Sequence, residues 1–69
     1  MTTIELWVAK DNNEYGDVYL YDNKPIRAEN CWIESYAHPD THCHLTNADW
    51  FPGLTFENSP RKVKIIIED

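Results

Sequence analysis

Ile4-Glu5-Leu6-Trp7-Val8-Ala9 and, past a polar interval, Val18-Tyr19-Leu20-Tyr21 both alternate their side chains and are rich in β-branched and aromatic residues. Alternation with a period of two is the signature of a strand with two distinct faces. Val, Ile, Tyr and Trp favour the pleated backbone. Between the two runs lies Asp11-Asn12-Asn13-Glu14-Tyr15-Gly16-Asp17. Asn, Asp and Gly accept turn conformations closed to most residues, so the two strands read as a hairpin.

Working outward, Asp22-Asn23-Lys24-Pro25 breaks the second strand, and Ile26-Arg27 reads as a short edge segment. Cys31 to Tyr36 reads as a strand and His42 to Thr46 as its return, with Ala37 to Thr41 as the turn. Asn47 is placed to cap a single helical turn that Pro52-Gly53 stops. Leu54 to Glu57 reads as extended, and Lys62 to Glu68 as a closing strand. The expectation is an all-β fold: a small antiparallel sheet of five to six short strands, curled or folded over itself, with at most one short helical turn. Residues 1–69 show no repeat, linker or low-complexity tract, and read as a single small β-rich domain.

The alternation also sorts side chains by face. Leu6, Val8, Val18, Leu20, Cys31, Ile33, Val63, Ile65 and Ile67 fall on an aliphatic face, with Leu6, Leu20, Ile33 and Ile65 expected inside the core. The intervening positions carry Trp7, Tyr19, Tyr21, Trp32 and Tyr36. An aromatic face of this kind must be covered by the chain, by a second copy or by a partner. The covering segment expected from the sequence is Asn47 to Phe56, with Trp50 and Phe56 as the lid.

Six basic against twelve acidic side chains give a formal net charge of −6. That balance repels phosphate backbones and disfavours nucleic acid as a partner. The charge is uneven: residues 1–60 hold three basic and ten acidic groups, the last nine residues three and two. The beginning of the chain, Met1 to Leu6, has neither basic residues nor an apolar run of signal-peptide length, and the longest aliphatic run is Ile65-Ile66-Ile67. No membrane association is expected. Two cysteines, Cys31 and Cys43, fit reduced thiols in the cytoplasm better than a disulfide framework.

Leu6-Trp7-Val8-Ala9-Lys10-Asp11, then Leu20 to Arg27, then Phe51 to Pro60 followed by a β-rich tail, resemble short uncharacterised proteins encoded by phages and mobile elements of gut bacteria. The match spans both ends of the chain and is poor between His38 and Leu45. The resemblance implies a context, binding to host or defence proteins, and carries no functional residues with it.

His38-Pro39-Asp40-Thr41-His42-Cys43-His44 is the one stretch suggestive of a metal. Pairing Tyr36 with His42 would set Glu34 opposite His44, gathering Glu34, His38, His42 and His44 as zinc ligands. The spacing matches no standard zinc pattern, and Cys43 would point to the other face, so the competing reading is a cross-strand Glu–His pair beside an exposed turn. Catalysis has little support. Ser35 and Ser59 lack the setting of an activated nucleophile, and two glycines exclude a phosphate-cradling loop. The sequence thus points to a non-enzymatic protein-interaction module without cofactor, engaging a protein partner or itself through an acidic or aromatic surface. The alternatives are a small zinc domain on the histidine loop, and a homo-oligomeric structural component.

Overall fold

The structure is a computed structural model that describes residues 1–34 and 43–68. Among the described residues six strands follow in chain order: β1 (Thr2–Lys10), β2 (Val18–Tyr21), β3 (Ile26–Arg27), β4 (Trp32–Ile33), β5 (Cys43–Thr46) and β6 (Arg61–Ile67). A 3₁₀ turn at Ala48–Trp50 is the one helical element among the described residues. The chain is β-dominated and antiparallel throughout, as the alternation predicts. No helix among the described residues is long and apolar enough to cross a membrane.

The main sheet has the order β5-β2-β1-β6, and β3 and β4 form a separate two-stranded sheet. The β1–β2 hairpin forms as predicted, with Trp7 opposite Tyr21 and Val8 opposite Leu20. Its turn is fixed by Asn13, whose side-chain oxygen accepts from the Gly16 N–H at 2.7 Å and the Tyr15 N–H at 3.1 Å. Gly16 sits at a φ of 61°, a backbone angle that costs an L side chain.

The sequence-based pairing of β4 with β5 does not form. β5 returns to β2, with Tyr21 opposite Cys43 and Leu20 opposite His44, and β4 pairs with β3. A β4–β5 hairpin would satisfy only local alternation. The observed arrangement also satisfies three distant groups. Asp11 accepts the Trp32 N–H at 3.0 Å, Asn30 accepts the Asn12 N–H at 2.9 Å, and the Tyr21 hydroxyl donates to the Trp32 carbonyl at 3.1 Å. These bonds swing β3 and β4 over the aromatic side of the main sheet.

Val8 and Ala9 are neighbours in one strand and both fully buried. Adjacent strand residues point to opposite faces, so the sheet is covered on both sides. On one side Ala9 and Tyr21 pack with Trp32 and Phe56, flanked by Trp7, Tyr19 and Cys43. On the other Val8 and Val18 pack with Leu54, flanked by Leu20, Phe51 and Val63. Leu54 and Phe56, two residues apart, thus serve opposite faces. The chain does this by passing round the edge of β1 just beyond the start of β6, where Ser59 Oγ accepts the Lys10 N–H at 3.0 Å. The bend is held by reciprocal bonds between Thr55 and Asn58, and by Asn58 donating to the Gly53 carbonyl at 2.9 Å.

The core therefore differs from the aliphatic face alone. Leu6, Leu20 and Ile33 are half-buried and Ile65 is exposed. Ile65 lies where β1 and β6 run on as a two-stranded ribbon after β2 has ended, with no layer above it among the described residues.

Candidate functional site: the Trp50 groove

Of the five aromatic residues singled out from the sequence, Tyr21 is 2% exposed and Trp32 8%. Both are core residues and cannot be contact residues in this fold. Trp32 does not sit on the main sheet: it is part of the cover, its ring centre 5.8 Å from that of Phe56 with the planes tilted at 52°. Arg27 lies over the Phe56 ring, 4.5 Å from its centre. The expected lid is half right, since Phe56 covers the aromatic side while Trp50 does not. Trp7 and Tyr19 are half-buried at its margin, with Lys24 and Lys62 over the Trp7 ring at 5.6 and 5.8 Å. Tyr36 lies outside the described residues.

The proposed metal set is not assembled as the sequence suggested. His38 and His42 lie outside the described residues. Glu34 and His44 do not face each other across a strand pair, because β5 has gone to β2. His44 is on the aliphatic side, opposite Leu20, and Cys43 is on the aromatic side beside Tyr21. This reverses the sequence-based assignment of Cys43 to the aliphatic face. Among the described residues no three His, Cys, Asp or Glu side chains converge on a metal position.

Glu34 meets Cys43 instead, in a shallow recess of about 380 Å³ lined also by Tyr21, Trp32 and Ile33. Burial, then the Glu34 hydrogen bond and charge, push the Cys43 thiol above its ordinary pKa. A thiol held protonated is a weak nucleophile. Burial first, and the Asp11 charge next, raise the Tyr21 phenol well above its ordinary value. Both groups are therefore neutral at pH 7.

The deeper feature is on the other side. Asn47 caps the 3₁₀ turn, accepting the Asp49 N–H at 2.9 Å, and the turn continues through Phe51 N–H to the Ala48 carbonyl at 3.1 Å. Successive residues of such a turn point about 120° apart. Phe51 faces inward onto Val8, Val18 and Leu54, and Trp50 is turned outward, 70% exposed. Between this turn and the start of β6 runs a groove of about 430 Å³. Its lining includes Val8, Leu54 and Val63, with Trp50 at one side and Arg61 and Lys62 at the other.

No known protein family, curated protein or solved structure matches this chain. The groove's own geometry therefore carries the functional reading. Sequence alternation could not have found Trp50, since the residue lies in no alternating run. The available signal was an Asn cap followed by Trp-Phe-Pro-Gly, a short turn in which one of two adjacent rings must face out.

Proposed function

We propose that this chain is a non-enzymatic protein-interaction module that docks a segment of a partner protein in the Trp50 groove. One observation carries the proposal: a tryptophan 70% exposed at the lip of a groove of mixed polar and apolar lining whose far side holds Arg61 and Lys62. Trp and Arg are the residues most enriched where interfaces concentrate their binding energy. An exposed indole leaves apolar area in water that a partner would cover. The matching partner segment inserts an apolar side chain beside Trp50 and sets a carboxylate toward Arg61. Among the described residues no carboxylate pairs with Arg61, whereas Lys62 is engaged by Glu5 at 3.2 Å. Basic residues flanking that segment would suit the acidic body of the chain.

The location we assign is the cytoplasm, where Cys31 and Cys43, both free thiols, stay reduced. The mobile-element resemblance would make the partner a host or defence protein. The test is selection from a random peptide display library on immobilised wild-type protein, in parallel with Trp50→Ala and Arg61→Glu. The expected result is enrichment of sequences pairing an aromatic or large aliphatic residue with Asp or Glu, lost on both variants. Enrichment that survives Trp50→Ala, or none at all, contradicts the assignment.

A further inference from the structure

The sheet ends at β6, and the outer edge of that strand is unpaired among the described residues. It is seven residues long, and six of them are exposed. A long edge with apolar side chains offers a row of backbone donors and acceptors to another strand. Lysines commonly guard such edges, but Lys62 and Lys64 both lean across their own face to Glu5, at 3.2 and 3.9 Å. On the opposite face Val63, Ile65 and Ile67 line up with Leu6, Ile4 and Thr2, and Ile4, Ile65 and Ile67 are 39%, 41% and 45% exposed.

We propose that β6 pairs antiparallel with β6 of a second copy of this chain, about a two-fold axis at Ile65. The argument for a second copy lies in the sequence of the strand itself. Centred on Ile65, the register sets Ile65 against Ile65, Val63 against Ile67, Lys64 against Ile66 and Lys62 against Glu68. The face carrying Val63, Ile65 and Ile67 becomes continuous across both copies, and each copy contributes a Lys62–Glu68 pair. Moving the centre one residue back sets Lys64 against Lys64. Moving it one forward keeps a Lys64–Glu68 pair but sets Val63 against Asp69, a charge on the apolar face. Long-range charge agrees. Residues 1–60 carry three basic and ten acidic groups, the last nine residues three and two, so two copies repel least along β6.

The inference is independent of the Trp50 groove and is tested by sedimentation velocity over a concentration series reaching the millimolar range. Wild type is expected to shift from monomer to dimer with concentration. Ile65→Lys, which sets two ammonium groups face to face at the axis, should raise the dissociation constant at least about tenfold. Lys62→Glu should weaken the dimer by facing Glu68, and Lys62→Glu with Glu68→Lys should restore it. This charge exchange tests the register even if Ile65→Lys fails to fold. A wild type that stays monomeric throughout, a dimer indifferent to Ile65→Lys and Lys62→Glu, or a double exchange that restores nothing would each overturn the proposal.

Discussion

The Tyr21 hydroxyl occupies a place where a polar atom is costly unless bonded, and it donates to the Trp32 carbonyl at 3.1 Å. Tyr21→Phe keeps the ring but leaves that carbonyl without its donor, at a cost of about 1 kcal/mol. The same residue sets an alkaline limit. Tyr21 in the folded chain loses its proton well above the ordinary 10.0, through burial and then the Asp11 charge, and Cys43 above its ordinary 9.0. Folded values raised above unfolded ones stabilise the fold fully below the unfolded values, and that stability is lost as pH climbs toward the folded ones. The denaturant midpoint should therefore hold through neutral pH and fall from about pH 9 upward. In Tyr21→Phe the part of the fall beyond about pH 10 should flatten. An unchanged alkaline slope in that variant would mean the phenol is not held as described.

At the scale of elements, what was legible in the sequence was what local patterning encodes. Alternation in Ile4 to Ala9 and Val18 to Tyr21 gave β1, β2 and their pairing, and Asn47 with Pro52-Gly53 gave the single helical turn. The partner of β5 was not legible. Cys43 to Thr46 is four residues long and alternates equally well against β4 or β2. The choice is made by bonds that join residues far apart in sequence, above all Asp11 accepting the Trp32 N–H at 3.0 Å. The same limit hid the cover over the aromatic face. Trp32 looked like a sheet residue because its neighbours alternate, and it became a covering residue once β4 left the main sheet. Asp11→Ala should accordingly loosen β3 and β4 in particular. About 1–3 kcal/mol of stability should be lost with the part-buried N–H left unpaired. Amide hydrogen exchange should rise at Trp32 and Asn12 and stay unchanged at Val8 and Val63. A uniform rise across all strands would show that the β3–β4 cover is not a separable layer.

For the whole molecule the consequence is an inversion of surfaces. The aromatic face that looked available to a partner is closed by β3, β4 and Phe56. Apolar area opens instead at Trp50, with Arg61 and Lys62 across its groove, and along the β1–β6 ribbon. Three tryptophans sample these environments: Trp32 buried, Trp7 half-buried at the margin, and Trp50 exposed. Their indole N–H signals can be resolved by NMR in the presence of a soluble, uncharged paramagnetic probe, which broadens each according to its access to solvent. The account predicts strong broadening at Trp50, intermediate broadening at Trp7 and almost none at Trp32. Trp32 broadened as strongly as Trp50 would contradict it, since the aromatic face would then be open and the surface available to a partner would be the one the sequence first suggested.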